Sequence, residues 1–133
     1  MTGGATFNQD LSNWVTHKVT TMEGMFQNCT QYDQTMPLAN TNQWNVSKVT
    51  TMKNMFNGAT AFNQALSTWV PTLLADTSDM FNAAEAFNKD IGGWNVSALT
   101  AVAGMFNGAI AYDNETTAFG AAFYNNFSPT GTS

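Results

Sequence analysis

The side chains that could catalyse a reaction or bind a metal are few in this 133-residue chain. Its single histidine, His17, has no partner histidine or cysteine to complete a zinc site. Its single cysteine, Cys29, occupies a position that alanine fills elsewhere in the chain, and no neighbouring base or cation indicates a reactive thiol. The sequence contains no nucleophile elbow, phosphate-binding loop or His-Glu-x-x-His motif. We therefore expect no enzyme activity, and we interpret Cys29 as a small buried residue.

Side chains that carry an oxygen atom recur directly after an aromatic residue, at five positions along the chain. Asn or Asp follows an aromatic residue at five positions: Asn8, Asp33, Asn63, Asn88 and Asp113. A calcium site needs several converging oxygen ligands, and the neighbouring acids Asp10, Asp90 and Glu115 are too sparse for a repeated site. Asn and Asp commonly satisfy backbone groups in turns. We interpret this Asn/Asp column as a ladder of turn residues, and we expect no metal and no cofactor.

The Asn/Asp column belongs to a repeat that runs through most of the chain. The pair Met-Phe recurs at intervals of 30, 25 and 25 residues, starting at Met25, Met55, Met80 and Met105. A tryptophan column accompanies it, made of Trp14, Trp44, Trp69 and Trp94. Self-similarity of this kind is typical of a solenoid, whose units bury their apolar faces against each other. The columns therefore predict a repetitive core rather than a cage for a ligand.

The repeat defines the expected domain organisation, a single solenoid domain over residues 1–133. It comprises about four repeats, near 7–31, 32–61, 62–86 and 87–111, followed by a C-terminal cap near 112–133. The longer second repeat carries its extra residues within 37–43. Residues 4–8 echo the sequence that begins at Gly58, so we expect a segment of a longer protein. The first residues lack the charged and apolar regions of a signal peptide.

Spacing within a repeat predicts two short elements. Apolar or small residues recur three, four and three positions apart, the period of one helical face, at Val49, Met52, Phe56 and Ala59. The segment 63–69 mixes apolar with polar residues, which favours a brief strand that pairs in parallel with its equivalents. The expected fold class is an α/β solenoid like a leucine-rich repeat, with one short parallel strand and one short helix per repeat of about 25 residues. A β-solenoid is the alternative.

The amino-acid composition of the chain argues against two kinds of partner, nucleic acids and membranes. Only 10% of the residues are charged, the net charge is −5, and four lysines are the only basic residues apart from His17. Nucleic-acid binding needs clustered Lys and Arg to neutralise phosphates, so we expect no nucleic-acid partner. No apolar run approaches the roughly 18 residues of a membrane span, so we expect no membrane insertion.

Two sequence segments closely resemble the repeats of a known protein family. They are residues 7–14, Phe-Asn-Gln-Asp-Leu-Ser-Asn-Trp, and residues 44–52, Trp-Asn-Val-Ser-Lys-Val-Thr-Thr-Met. They resemble the BspA-like surface-protein repeats, a bacterial and mycoplasmal family also found in protists and related in pattern to the treponemal leucine-rich repeat. The resemblance covers about residues 5–119. It implies a cell-surface or secreted solenoid that acts in adhesion or protein binding, and it brings no catalytic residues.

Two polar surfaces are the candidate binding sites, because solenoids commonly bind through a sheet face and through loops on a rigid scaffold. The first is the polar face of the expected strands: Gln9, Asp10, Ser12, Asn13, Gln64, Ser67, Thr68, Lys89 and Asp90. The second is the inserted loop of the second repeat, with Asn40, Asn42 and Gln43.

The leading functional hypothesis is a non-enzymatic module that binds a protein or glycan on another cell or host through its polar strand face. The first alternative is a structural spacer that associates with copies of itself, because solenoid ends present open edges. The second is an ice-binding protein, suggested by low charge and many threonines. Its threonine ladders, at Thr20, Thr50 and Thr100, are interrupted by Ala75.

Overall fold

Equivalent residues of successive repeats lie side by side in the computed structural model, which describes residues 4–36, 44–91 and 93–112. These residues contain no helix and no continuous β-strand. Single parallel bridges instead join Thr21 to Thr51, Thr51 to Asp76, and Asp76 to Ala101. The bridged residues hold the same place in the four repeats, so the repeats follow one another in sequence order and in one register. Repeats 1 to 4 below are residues 7–31, 32–61, 62–86 and 87–111.

The helix predicted on the Val49–Ala59 face is absent, and the backbone there forms consecutive turns. Alternate N–H groups bond within the repeat, as Met55 donates to the Met52 carbonyl at 3.0 Å. The N–H groups between them leave the repeat, as Phe56 donates to the Met80 carbonyl at 2.8 Å. An α-helix needs every N–H directed to the carbonyl four residues earlier. Bonding to the next repeat therefore replaces the helix.

Two left-handed residues in each repeat also exclude a helix. The first column has φ between 56° and 70° and comprises Gly24, Asn54, Asp79 and Gly104. The second has φ between 59° and 77° and comprises Asn28, Gly58, Ala83 and Gly108. Gly, Asn and Asp adopt this conformation most readily, and single left-handed residues interrupt a right-handed helix. The three- and four-residue apolar spacing thus reflects successive turns.

The predicted core columns are confirmed by burial and by ring stacking. Phe26, Phe56, Phe81 and Phe106 are fully buried, and their successive ring centroids lie 5.3, 5.6 and 5.5 Å apart. Cys29 is buried with a free thiol, as expected. A second aromatic column stacks beside the first, with centroid separations of 6.0, 6.0 and 5.8 Å along Tyr32, Phe62, Phe87 and Tyr112. Aromatic burial is therefore continuous across the repeats.

The strand predicted over 63–69 is likewise not formed as a strand. Side chains connect the repeats on this side: the Trp44 indole N–H donates to the Leu11 carbonyl at 2.8 Å, and that of Trp94 donates to the Leu66 carbonyl at 2.9 Å. Trp44 thus ties repeat 2 to repeat 1, and Trp94 ties repeat 4 to repeat 3.

The leucine-rich-repeat-like solenoid and the β-solenoid both stay predictions, because the described residues contain neither of the elements that define them. The predicted cap near 112–133 lies outside the described residues apart from Tyr112. Within the described residues, there is no helix long and apolar enough to cross a membrane.

Candidate functional site

The Asn/Asp column bonds each repeat to the next. The side-chain Oδ1 of Asn8 accepts the backbone N–H of Asp33 at 3.0 Å. Asp33 Oδ1 accepts the N–H of Asn63 at 2.9 Å, and Asn63 Oδ1 accepts that of Asn88 at 2.9 Å. The predicted ladder is confirmed at these positions, with the bonds running between repeats rather than inside one turn. Backbone groups on this side are therefore satisfied without a regular strand.

A glutamine column reinforces the same ladder. Gln34 Nε2 donates to the carbonyl and the Oδ1 of Asn8, at 3.2 and 3.0 Å. Gln64 Nε2 donates to the corresponding atoms of Asp33, at 3.0 and 2.9 Å. The amide of Gln64, a predicted binding residue, thus has a structural role. Gln34 was not among the predicted residues, although its place one residue after Asp33 matches that of Gln64 after Asn63.

Asp10, another predicted residue, lies in a turn with a defined hydrogen bond. Its Oδ1 accepts the backbone N–H of Ser12 at 2.8 Å. The backbone N–H of Ser12, followed by its side chain, lowers the pKa of Asp10, while desolvation opposes this slightly. The Asp10 side chain is exposed. It therefore presents a negative charge to solvent from a fixed turn.

Most of the predicted strand-face residues follow the ladder residues closely in sequence. Gln9, Gln64 and Lys89 each follow a ladder residue directly, and Asp10 and Asp90 come one position later. Of the remaining predicted residues, Asn13, Ser67 and Thr68 are exposed and Ser12 is half-buried. We define the polar strip as Gln9, Asp10, Ser12, Asn13, Gln34, Gln64, Ser67, Thr68, Lys89 and Asp90. The predicted loop residues Asn40, Asn42 and Gln43 lie outside the described residues.

A second surface was missed by the sequence, which predicted every tryptophan to be core. Trp14 is 43% exposed, whereas Trp44 is fully buried. It borders a depression of about 250 Å³ lined by Trp14, Val15, Thr16, Val19, Thr21, Met22, Glu23 and Met25. All of these residues belong to repeat 1. No signal in the sequence marked this surface, because Trp14 belongs to the same column as the buried Trp44, Trp69 and Trp94.

Neither surface carries a catalytic or metal-binding cluster. Within the residues that the structure describes, no group of three or more His, Cys, Asp or Glu side chains could hold a metal ion. The polar strip offers amides, hydroxyls, carboxylates and one ammonium group. Such groups bind ligands by hydrogen bonds and charge.

Comparison with known proteins gives one match. Residues 1–43 match a family model described as "Mycoplasma protein of unknown function, DUF285". The match spans the first repeat and the beginning of the second, which is less than half of the 133-residue chain. No curated protein and no solved structure matches the chain.

Proposed function

We propose that this chain is a BspA-like repeat module of a cell-surface or secreted protein, and that it binds a protein or glycan through its polar strip. We further propose that its repeats form one solenoid domain of the leucine-rich-repeat type. The observation that carries the binding proposal is the ladder, in which side chains of successive repeats anchor the backbone beneath the strip. A surface held in place loses little conformational entropy when a ligand binds.

The chemistry of the polar strip fits a polar, uncharged ligand better than a highly charged one. Its carboxylates at Asp10 and Asp90 are offset only by Lys89, and the other side chains are amides and hydroxyls. Amides and hydroxyls can both donate and accept hydrogen bonds, as sugars and peptide backbones require. The chain has four lysines and no arginine, so a phosphate-rich partner has few counter-charges.

The family evidence supports the same proposal. The match of residues 1–43 is to a mycoplasmal family of unknown function, and the BspA-like resemblance extends the likeness over the later repeats. The proposal assigns no enzyme activity to the chain. Ice binding is not proposed, because the hydroxyls of Thr50 and Thr100 donate to backbone carbonyls of the preceding repeat.

The test is a screen of the full chain against glycan and extracellular-protein arrays, followed by titration of each ligand found. Gln9→Ala removes an exposed side chain, and Asp10→Asn removes charge while keeping an oxygen for the Ser12 N–H. We expect each to weaken binding by about tenfold, the effect of losing about 1.4 kcal/mol. Lys53→Ala, at an exposed position away from the strip, is the matched control.

Unchanged affinity in both strip variants would contradict the assigned surface. A screen without any ligand at micromolar concentration would contradict the binding function itself.

A further inference from the structure

Four short segments directly follow the tryptophan column, one in each repeat. They are residues 15–18, 45–48, 70–73 and 95–98, which we call the turn rim. The register is set beside the rim: the N–H of Ala75 donates to the Thr50 carbonyl at 2.8 Å, and that of Thr50 donates to the Thr20 carbonyl at 2.8 Å. Equivalent rim residues of successive repeats are therefore neighbours.

Repeat 3 exposes two aliphatic side chains on the turn rim. Val70 is 45% exposed and Leu73 is 52% exposed. The Leu74 N–H donates to the Pro71 carbonyl at 3.1 Å, which closes a turn around them. Repeat 3 is bridged to repeat 2 on one side and to repeat 4 on the other. The aliphatic pair thus lies on the side of the array, between two described neighbours.

The local fold does not require these aliphatic residues. In repeats 2 and 4 the position of Val70 is asparagine, whose Oδ1 accepts the backbone N–H of Ser47 at 2.8 Å and that of Ser97 at 2.9 Å. Valine gives up this acceptor, and the Thr72 N–H bonds to the Val70 carbonyl at 3.0 Å instead. The position of Leu73 is lysine in repeats 1 and 2. Polar residues serve the turn at both positions, so contact with a partner explains the aliphatic pair better than packing within the chain.

The turn rim differs in charge from the rest of the chain. Lys48 is exposed and is the neighbour of Leu73 in repeat 2, and the exposed Lys18 continues the same column in repeat 1. None of the nine acidic residues lies in the rim, although the net charge of the chain is −5. The rim therefore presents positive charge beside an aliphatic patch.

Spacing along the turn rim is close to that of an extended peptide. In the adjoining column, the ring centroids of Trp44 and Trp69 lie 5.9 Å apart, and those of Trp69 and Trp94 lie 6.4 Å apart. Residues two positions apart in an extended chain point to the same side and are separated by about 6.7 Å. A peptide that runs along the repeats thus places one side chain on Lys48 and the next side chain of the same face on Leu73.

We propose that the turn rim binds an extended acidic segment of a partner protein, with the pattern acidic-x-acidic-x-aliphatic. The acidic side chains pair with Lys18 and Lys48, and the aliphatic side chain packs against Val70 and Leu73. Burial of the aliphatic surface supplies affinity, and the opposite charges orient the segment. The rim is separate from the polar strip, and binding here does not require a ligand there.

Other classes of anionic partner fit the turn rim less well. Attraction to an anionic membrane needs a larger basic cluster than two lysines, and the rest of the chain is acidic. An acidic polysaccharide offers no aliphatic side chain to cover Val70 and Leu73. A peptide segment supplies both kinds of group at the required spacing.

Synthetic peptides test the pattern. The probe is fluorescein-labelled Glu-Thr-Glu-Thr-Leu-Thr, and a second probe has the reversed sequence, because side-chain spacing does not determine the chain direction. Fluorescence anisotropy with the full chain should show saturable binding of one probe below about 1 mM. Replacing both Glu by Gln, or Leu by Ser, should weaken binding by about tenfold in each case. Added salt should weaken binding of the Glu probe more than that of the Gln form.

Variants of the turn rim provide the matched comparison. Val70→Asn with Leu73→Ala gives repeat 3 the residues that repeat 4 has at these positions, so it should keep the unfolding midpoint of the parent and lose about tenfold in affinity. Lys48→Glu should reject the Glu probe and bind a probe in which Lys replaces Glu. Lys53→Glu, at an exposed position outside the rim, is the control and should keep its preference for the Glu probe.

Equal affinity for the probe and for its Gln and Ser forms would overturn the proposal, as would unchanged binding by the Val70/Leu73 double variant. Probes that stay unbound while the chain sediments with phosphatidylserine vesicles would assign the rim to a membrane instead. Gln9→Ala should leave binding of the peptide unchanged, which separates this result from the ligand screen of the polar strip.

Discussion

The residues with positive φ determine where the backbone turns within each repeat. In the first column, glycine occupies the first and last repeats, and Asn54 and Asp79 between them have short polar side chains that tolerate positive φ. In the second, Ala83 adopts φ 59° without that advantage. The glycines of these columns are therefore the positions where a side chain is costly.

Gly104→Ala should destabilise the chain by about 1–2 kcal/mol from its left-handed φ alone. The new Cβ would also collide with the Asp79 carboxylate, which adds to this cost. Urea unfolding followed by tryptophan fluorescence measures the change. Gly93→Ala is the matched control, because nothing lies within 4 Å of its Cβ position. Equal midpoints for the two variants would contradict the assigned backbone conformation.

Tyr32 makes stability depend on pH in the alkaline range. Burial, and then the electrostatic effect of Asp10, Cys29 and Asp33, raises the pKa of its phenol well above the usual range. The unfolded chain releases this proton near pH 10, the ordinary pKa of tyrosine, while the folded chain retains it. The stabilising contribution is complete below about pH 10 and decreases as the pH rises above it.

We therefore expect the unfolding midpoint in urea to fall more steeply above about pH 10 in the parent chain than in Tyr32→Phe. Phenylalanine occupies the same column at Phe62 and Phe87, so this variant should fold and lose only the bond from the phenol to Met36 Sδ. Parallel pH profiles for the two proteins would show that Tyr32 ionises freely in the folded chain.

At the scale of the element, the Asn/Asp ladder should contribute measurably to stability. Asp33 Oδ1 accepts two bonds from repeat 3, from the Asn63 N–H and from Gln64 Nε2. Asp33→Ala removes both, and we expect a loss of about 1–2 kcal/mol because the bonds are exposed to solvent. Asp33→Asn keeps the acceptor and should lose less than half as much. Urea midpoints compare the two, and equal losses would contradict the ladder's role.

The sequence did not reveal which type of secondary structure each segment forms. The apolar spacing at Val49, Met52 and Phe56 placed these side chains inside correctly. It could not distinguish a helix from successive turns, because both bring residues three or four apart to one face. The decisive information was the left-handed conformation at Asn54 and Gly58 together with bonding to the next repeat.

For the whole molecule, the sequence predicted the columns and their order because each column recurs in every repeat. The Asn/Asp ladder was predicted for the same reason. The open face at Trp14 was not, since a column pattern treats all its members alike and does not mark which member comes first. The burial of each tryptophan depends on the residues packed against it, and the column pattern does not specify those residues.

Successive repeats meet through equivalent residues, and this has a consequence for how the gene can gain or lose repeats. Thr51 faces Asp76 as Asp76 faces Ala101, so excision of residues 62–86 would join Ala61 to Phe87 and bring Thr51 against Ala101. We expect the shortened chain to fold with the same circular dichroism and a lower unfolding midpoint, because one boundary is lost. A deletion of twelve residues, which breaks the register, should abolish folding. If whole-repeat loss is as harmful as the half-repeat deletion, the boundaries are not interchangeable. Otherwise, recombination between repeats can alter the reach of this protein without redesigning its core.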